Sequence, residues 1–339
     1  MNAGNVRSLD YGTLAALAMT LETYLTNNIE EIGEATWDAL SAGRPFQSYN
    51  WYRFGERVMV NAKPTHVILS ENGQAIARAS FWRISNDPTV PNMMEVLFRR
   101  WPLLICRSPL FIAPGWIIPD PLPAGILDEI TRIGRRLRRK ERCSLLLFDG
   151  LGPAAARAVP RSIRYSFGSP GTVMDIRGIR NFDQYIAGRS YGVRKDLRRH
   201  LRKIEECGIM VTRHRTVPNL DEAERIYRTF EAVKGSTRIP WMRAVLQNLE
   251  MANGTWLATH VGGQLVGCAA TVEDCGAQFG IAIGFDRNIP YVYFALLYEA
   301  IRLGFEHGLH SLYWGTGTYE VKKRLGCSTF ENDSLAVVF

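Results

Sequence analysis

Two segments of the chain place runs of β-forming apolar residues on either side of a short turn sequence. In residues 66–82 the turn is an Asn-Gly pair, which strongly favours a tight β-hairpin. Residues 256–271 repeat the arrangement around a Gly-Gly pair. Both segments are therefore predicted to form β-hairpins.

Each predicted hairpin is followed by an amphipathic pattern of helical period and then by an apolar run that ends in glycine. In the first half these are residues 126–142 and 144–150, and in the second half they are residues 293–307 and 311–315. The order helix, hairpin, strand, helix, strand thus occurs twice. Such a repeat predicts tandem domains of one fold, each an α/β (α+β) unit with a mixed sheet.

The two copies differ in length, because the first contains extra residues between its hairpin and its long helix. We assign them to a Pro-rich apolar insertion near residues 88–123, a candidate lid or substrate wall. The domains are predicted to span residues 1–160 and 161–339, with a basic helix at 189–207 before the core of the second. A further helix is predicted over residues 14–29.

Residues 304–326 combine a helix end, a short apolar strand, a Gly-rich turn and a second helix that carries lysine. Gly315 and Gly317 allow a ligand to approach the backbone, and the start of the second helix offers free N–H groups to an anion. This arrangement is typical of an active-site floor. The alternative is a plain connection with a surface lysine.

The chain has 339 residues, of which 46% are hydrophobic, enough to bury two separate cores. Its most apolar region, residues 101–118, contains Arg107 and three prolines, so no transmembrane segment is predicted. The first residues lack the basic start of a signal peptide. The six cysteines show no metal-ligand or disulfide spacing, so reduced thiols, no metal site and a cytoplasmic location are predicted.

The net charge of +8 is concentrated in residues 132–142 and 189–203. In the second segment a helix would align like charges in rows, and a polyanion such as a tRNA acceptor stem or a phosphate-bearing acceptor would offset their repulsion. The alternative is a solvated helix face. The first segment ends a helix, where cations complement the helix dipole. The candidate tRNA- or phosphate-binding residues are Arg194, Lys195, Arg198, Arg199, Arg202 and Lys203.

Three motifs carry a resemblance to a known family. They are the basic helix at 191–203, the long helix at 291–308 and the closing pattern Gly315-x-Gly-x-Tyr319-x-x-Lys322-x-x-x-Gly326. Together they resemble the Gcn5-related N-acetyltransferase (GNAT) fold, and the tandem copy resembles its FemAB or FemX-like aminoacyl transferase branch. The resemblance implies tandem GNAT-like domains and an acyltransferase that forms an amide bond.

At one loop, the sequence differs from that of GNAT proteins that bind acetyl-CoA. Those proteins carry an Arg/Gln-x-x-Gly-x-Gly/Ala loop whose N–H groups hold the pyrophosphate, whereas residues 285–293 contain no glycine. The resemblance therefore favours aminoacyl-tRNA as the donor and an amine of a small molecule or cell-envelope precursor as the acceptor. Acyl-CoA or an acyl carrier protein is the alternative donor. A non-catalytic RNA- or envelope-binding module is the alternative from another class.

The resemblance implies that Lys322 offsets negative charge near the reacting ester and that Tyr319 donates to the same centre. Without the resemblance, Lys322 would solvate a helix face and Tyr319 would pack against the strand. A loop tryptophan such as Trp241 is more often part of a core. No tightly bound cofactor is expected, and the oligomeric state is left open. The candidate substrate-binding residues are Trp314, Gly315, Gly317, Tyr291, Tyr293, Trp241 and Arg238.

Overall fold

The chain forms two mixed β-sheets, one of eight strands and one of seven, with helices packed on them. The computed structural model describes residues 21–85, 95–120, 125–234 and 239–339. The strands are β1 (Leu21–Thr26), β2 (Lys63–Glu71), β3 (Gln74–Ile84), β4 (Leu103–Cys106), β5 (Trp116–Ile117), β6 (Leu146–Leu151), β7 (Ser162–Ser166), β8 (Gly171–Asp175), β9 (Met210–His214), β10 (Thr255–Val261), β11 (Gln264–Asp274), β12 (Ala277–Phe285), β13 (Ser311–Tyr313), β14 (Ser328–Phe330) and β15 (Ser334–Val338). The helices are α1 (Glu34–Ser41), α2 (Tyr49–Val58), α3 (Glu95–Arg100), α4 (Ile126–Lys140), α5 (Pro153–Ala158), α6 (Phe182–Ala187), α7 (Tyr191–Glu206), α8 (Leu220–Lys234), α9 (Met242–Gln247), α10 (Val292–Glu306) and α11 (Tyr319–Leu325).

Both predicted hairpins are confirmed. β2 and β3 pair antiparallel around Asn72 and Gly73, whose φ angles are 51° and 76°. β10 and β11 pair in the same way around Gly262 and Gly263, whose φ angles are 56° and 80°. A two-residue turn whose twist matches that of the strands requires positive φ at both positions, which explains the Asn-Gly and Gly-Gly sequences.

A helix that connects two parallel strands is present in each half. α4 leads into β6, which pairs in parallel with β4. α10 connects β12 to β13, which also pair in parallel. The remaining neighbours in both sheets are antiparallel, so the sheets are mixed and the predicted tandem repeat is confirmed.

The helix predicted over residues 14–29 is wrong where the structure describes it, and residues 14–20 lie outside the described part. β1 pairs antiparallel with β2 along its whole length, and a short 3₁₀ turn follows at Ile29–Glu31. The edge of β2 offers a row of backbone partners. This pairing outweighs the weak helical propensity of so short a segment.

The two halves exchange strands near the predicted domain boundary. β7 belongs to the first sheet, and β8, which follows it in the chain, belongs to the second. At the C-terminal end, β14 lies in the second sheet, and β15 returns to the first sheet between β6 and β7. The first sheet therefore extends past the predicted boundary at residue 160 and includes a strand from the end of the chain, because backbone pairing joins segments distant in sequence.

The Pro-rich stretch near 88–123 is not a lid in its described residues, 95–120. β4 and β5 both pair with β3 and are strands of the first sheet. The apolar residues of β4 are fully buried there. Residues 88–94 and 121–123 lie outside the described part of the chain.

The loop between β4 and β5 packs closely against the end of β6. A Cβ atom on Gly150 would lie 2.5 Å from the backbone nitrogen of Ala113, and one on Gly115 would lie 2.3 Å from that of Arg107. Arg107 Nη1 also lies 3.0 Å from Asp149 Oδ2 in a buried ion pair. These contacts close the space at the end of β6 in the first half.

One hydrophobic core joins the two halves. Phe111 of the β4–β5 loop lies with its ring 5.0 Å from that of Phe279 on β12 and 5.5 Å from that of Tyr313 on β13. Phe46 packs against the same two rings. One face of the second sheet is thus buried against the first half, and its other face packs on α10.

Candidate functional site

The parallel strands β12 and β13 diverge soon after they begin to pair. Their pairing ends at Phe279 and Tyr313, whereas β12 continues to Phe285. After β13 the chain turns towards β8, because the Trp314 N–H donates to the Thr172 carbonyl over 2.9 Å. A gap therefore opens along the outer edge of β12, and α10 lies across it.

A cavity of about 500 Å³ fills this gap. Its walls are mainly apolar, and no carboxylate occurs among the described residues that line it. Two cationic side chains, Arg287 and Lys322, contribute to the lining. The lining residues are Phe230, Ala269, Ala270, Thr271, Gly280, Ala282, Ile283, Phe285, Arg287, Tyr293, Leu296, Leu297, Ala300, Trp314, Thr316, Thr318 and Lys322.

Lys322 lies in the cavity wall with only 4% of its surface exposed. Its Nζ donates to the carbonyl oxygens of Trp314, Gly315 and Thr316, over 2.5, 3.2 and 3.3 Å. An ammonium group has three N–H donors, so these contacts can engage all of them. Lys322 therefore fixes the turn after β13 and places a positive charge at the cavity wall.

Gly315 and Gly317 are required by the backbone of this turn. Their φ angles are 58° and 81°, in the left-handed region that disfavours residues with a side chain. A Cβ atom at either position would meet no described atom within 4 Å. The cavity is lined instead by their neighbours Trp314, Thr316 and Thr318, so close approach to a ligand is not the reason for these glycines.

The two tyrosines predicted near the turn have different positions. Tyr293, on α10, lines the cavity, and its hydroxyl lies 3.3 Å from Thr318 Oγ1. Burial raises the pKa of Tyr293, which keeps its hydroxyl protonated. Tyr319 does not line the cavity, because its hydroxyl donates to the Pro170 carbonyl over 2.8 Å and fastens α11 to the segment before β8. Its predicted donation to the reacting centre does not fit this placement.

Two other predicted substrate-binding residues, Tyr291 and Trp241, do not line the cavity. Tyr291 precedes α10 with φ of 68°, and its ring lies 5.8 Å from that of His200. Trp241 is 8% exposed and belongs to the core that joins the two halves, with Met242 and Val245. This loop tryptophan is held by packing, which accords with the core alternative, and its role in substrate binding stays a prediction. Arg238 lies outside the described residues.

Several residues that line the cavity were not predicted from the sequence. Thr271 comes from β11, Phe230 from α8 and Arg287 from the loop between β12 and α10. Arg287 is exposed at the opening of the cavity, beside the start of α10, which has no side-chain cap. Arg287 lies in the loop whose sequence differs from that of acetyl-CoA-binding GNAT proteins. That difference was the only feature of the sequence that drew attention to this residue. Thr271 and Phe230 had no local signal, because their proximity is a tertiary effect.

The predicted basic helix is α7, and it packs beside α10. His200 Nδ1 lies 2.7 Å from the Tyr298 hydroxyl, and the His200 ring lies 4.2 Å from that of Phe294. Burial, with a contribution from the nearby charge of Arg199, lowers the pKa of His200, which favours a neutral ring. The basic helix is thereby held next to the start of α10 and the cavity opening.

The six predicted cations on α7 are not equivalent. Arg194 donates to the carbonyls of Ala187 and Arg189 in the preceding turn. Arg199 pairs with Asp196, and Arg202 and Lys203 both approach Glu206. Lys195 and Arg198 are exposed, and neither has an ion-pair partner among the described residues. These two are the cations of α7 best placed to meet an anionic partner.

Other site classes were also considered. The described residues contain no group of three or more His, Cys, Asp or Glu side chains arranged to hold a metal ion. All six cysteines are free thiols, and burial raises the pKa of Cys327, next to Lys322, to about 12. Of the described helices, none has both the length and the hydropathy needed to cross a membrane.

Residues 192–323 match the family model of the acetyltransferase (GNAT) domain. The crystal structure of FemX is similar over 94% of this chain and 97% of that chain, with a TM-score of 0.62 and 9% identity. The chain has a tandem GNAT fold. The resemblance in fold to FemX, predicted from the sequence, is confirmed.

Two further solved structures share this tandem GNAT fold. A tandem GNAT protein from the clavulanic acid biosynthesis pathway has a TM-score of 0.57 and 13% identity, over 94% of this chain and 98% of that chain. The C-terminal domain of a putative lysylphosphatidylglycerol synthetase from Agrobacterium fabrum has a TM-score of 0.56 and 12% identity, over 91% and 92%. No curated protein sequence is significantly similar to this chain.

Proposed function

We propose that the protein is an N-acyltransferase that binds the acyl group of a thioester donor in the cavity between β12, β13 and α10. The observation that carries this proposal is the lining of that cavity, which is apolar, contains two cations and has no carboxylate among its described residues. An uncharged acyl group gains free energy when it leaves water for such walls. The GNAT domain match supports acyl transfer as the reaction class.

The charge of the lining favours a neutral acyl group over an aminoacyl group. The α-ammonium of an aminoacyl ester would have to leave water, and a buried cation is tolerated when a carboxylate or several acceptors compensate it. Lys322 and Arg287 have the same charge sign, so they would repel it. A neutral acyl chain meets neither cost.

The open edge of β12 suits an extended donor arm that contains amides. Beyond Phe279 this edge has no strand partner among the described residues, so N–H and C=O groups of alternate residues up to Phe285 face the gap. The pantetheine arm of CoA or of an acyl carrier protein carries two amides and can pair with such an edge. Residues 285–293 lack the glycine loop that holds pyrophosphate in acetyl-CoA-binding GNAT proteins, so Arg287 and the uncapped start of α10 would contact the phosphate of this arm instead.

The reaction forms one bond and breaks one. The acceptor amine attacks the thioester carbonyl carbon, the new C–N bond forms, the C–S bond breaks, and the proton lost by the amine is taken up by the departing thiolate, which gives the free thiol. Attack requires the uncharged amine, so the rate rises with pH up to the pKa of the acceptor. The positive charge of Lys322 at the cavity wall favours the negative charge that develops on the carbonyl oxygen.

The second candidate is aminoacyl transfer from aminoacyl-tRNA, as the FemX-like resemblance suggests. The observation that favours it is the exposed pair Lys195 and Arg198 on α7, the helix that packs beside α10. A tRNA acceptor stem would offset these charges. In both candidates the acceptor is an amine of a small molecule or cell-envelope precursor, and a cytoplasmic location accords with either donor.

One experiment separates the two donors. The protein is incubated with acyl-CoA, acyl carrier protein thioesters and total charged tRNA in parallel, with a mixture of amines, and products are identified by mass spectrometry. Thioester donation predicts acyl amides whose formation is unaffected by RNase. Consumption of charged tRNA alone, abolished by RNase, would exclude the thioester proposal.

A third outcome concerns the non-catalytic alternative. If none of the three donors is consumed, acyl transfer itself is excluded. A binding module would then be tested by retention of RNA or envelope precursors on the immobilised protein. Retention that falls steeply with salt would identify a polyanion as the partner.

A further inference from the structure

A buried glutamine on β12 has no hydrogen-bond partner. Gln278 has no exposed surface, and neither its Oε1 nor its Nε2 meets a partner among the described residues. Leaving a buried amide unpaired is unfavourable, and folded proteins rarely do so without a ligand or water to compensate. Packing alone therefore does not account for a glutamine at this position.

Gln278 lies two residues before Gly280, the first residue of β12 that lines the cavity. The lining also includes Thr271 of β11, which pairs with Gly280, and Ala300, the lining residue of α10 furthest from the start of that helix. Gln278 and Gly280 are alternate residues of one strand, so they share a face of the sheet and lie about 7 Å apart along it. Gly280 contributes no side chain on this face, and a Cβ atom there would lie 3.4 Å from Cδ1 of Trp314, which itself lines the cavity.

The contacts of β13 and of the neighbouring residue Phe279 show on which side of the sheet the Gln278 side chain lies. Gln278 pairs with Leu312 of β13, and Leu312 belongs to the core formed with Leu297 of α10. Leu297 itself lines the cavity. The neighbouring residue Phe279 faces the other way, against Phe111 of the first half. The Gln278 side chain thus lies on the α10 side of the sheet, as the cavity does.

We infer that Gln278 is a specificity-determining residue that binds a polar group at the far end of the acyl chain. This inference rests on the proposed thioester-dependent function and adds the substrate class. A hydroxyl group is the best match, because it can donate to Oε1 and accept from Nε2 at once. The preferred donor is therefore a hydroxyacyl thioester, with its hydroxyl at the end opposite to the thioester.

The test compares a series of unbranched acyl-CoA thioesters of increasing chain length, each with and without a terminal hydroxyl. For the chain length that reaches Gln278, wild type is expected to use the hydroxylated donor about 10- to 100-fold better in kcat/KM. Gln278→Leu, which keeps the volume and removes both polar atoms, is expected to abolish or reverse that preference. Gln278→Met serves as a second variant if the leucine variant does not fold.

Tyr227→Phe is the matched control. It removes another buried polar atom without a partner, from a residue in the core that joins the two halves. It is expected to leave the acyl preference unchanged. Equal use of plain and hydroxylated donors by wild type at every length would overturn the Gln278 inference and leave the proposed function intact. Failure of every thioester to react would instead exclude the proposed function.

Discussion

The carboxylate of Asp274, at the end of β11, accepts the hydroxyl hydrogen bond of Ser48, the residue that caps α2. The backbone N–H groups of Gln47 and Ser48 also donate to Asp274 Oδ2, over 3.2 and 3.4 Å. Ser48 Oγ in turn accepts from the Trp51 N–H over 3.1 Å. One carboxylate of the second half thus completes the N-terminal cap of a helix in the first, so the halves are joined by a buried polar contact as well as by their shared core.

We expect Asp274→Ala to destabilise the protein by about 1–3 kcal/mol, because it leaves three donors near the start of α2 without their acceptor. Chemical denaturation of wild type and variant measures the difference. Asp286→Ala, in the exposed loop before α10, is the control for loss of a carboxylate. It should reduce the free energy of unfolding much less than Asp274→Ala does. Equal stability of wild type and Asp274→Ala would show that the contact contributes nothing.

The same carboxylate predicts a pH dependence. Burial raises the pKa of Asp274 above its ordinary value of 3.8, although Ser48 and the neighbouring N–H groups act in the opposite direction. The native state therefore holds this proton at pH values where the unfolded state has lost it, so the contribution of the group to stability falls as pH rises above 3.8. The stability of wild type relative to Asp274→Asn is expected to decrease between about pH 4 and neutrality. A constant difference over that range would contradict the raised pKa.

Lys322→Met is expected to cost about 2 kcal/mol of stability, since three carbonyls of the turn lose a buried charged donor. Activity should fall strongly, because the turn forms one wall of the cavity. Lys323→Met, at the exposed neighbouring position, is the control and should leave both quantities nearly unchanged. Kinetics and denaturation of both variants give the comparison. Full activity of Lys322→Met would show that Lys322 has no role in the reaction.

Tyr319→Phe should behave differently from Lys322→Met. The Tyr319 hydroxyl donates only to Pro170 among the described residues, outside the cavity, so its loss should cost about 1 kcal/mol of stability and leave kcat nearly unchanged. Steady-state kinetics checks this expectation. A large loss of kcat at unchanged stability would restore the catalytic role implied by the family resemblance.

Reversal of charge on α7 tests the anionic partner. Lys195→Glu combined with Arg198→Glu should raise KM for a phosphate-bearing donor about tenfold and weaken its dependence on salt, with little effect on folding. The matched control is Arg136→Glu with Arg139→Glu on α4, where the cations are also exposed. An equal effect of both double variants would point to overall charge instead of a site on α7.

The depth of the cavity predicts a change in chain-length preference. Ala300 is the lining residue of α10 furthest from the start of that helix, so Ala300→Leu should exclude longer acyl groups and retain short ones, with a stability cost of about 1–3 kcal/mol from overpacking. Ala295→Leu, buried on the same helix but outside the lining, should cost similar stability without changing the preference. Relative kcat/KM over a series of acyl chain lengths measures the chain-length preference of both variants, and chemical denaturation measures their stability.

Elements with strong local patterns were predictable from the sequence. The Asn-Gly and Gly-Gly hairpins and the long amphipathic helices α4 and α10 were predicted within a few residues, because turn dihedrals and helical periodicity are local properties. β1 was not, because its strand conformation depends on the edge of β2, to which it pairs over a distance in sequence.

The candidate site was only partly predictable. Lys322, Trp314 and Tyr293 line the cavity as predicted, and a motif in one continuous segment indicated the first two. The sequence left Trp241 open between a pocket and a core, because an aromatic residue in a loop looks the same in both, and the structure places it in the core. Thr271 and Phe230 come from elements on other parts of the chain, and no local pattern marks them.

By itself, the sequence determined the tandem repeat, the mixed α/β character and the segment that forms the turn after β13, since each depends on short-range periodicity and glycine conformations. The tertiary structure alone decided which strands belong to which sheet, that the β4–β5 loop closes the space at the end of β6, and that a gap remains between β12 and β13. Those features depend on pairing and packing between residues far apart in the chain. The lysine that the sequence marked lines that gap, where its Nζ donates to three carbonyls of the turn after β13.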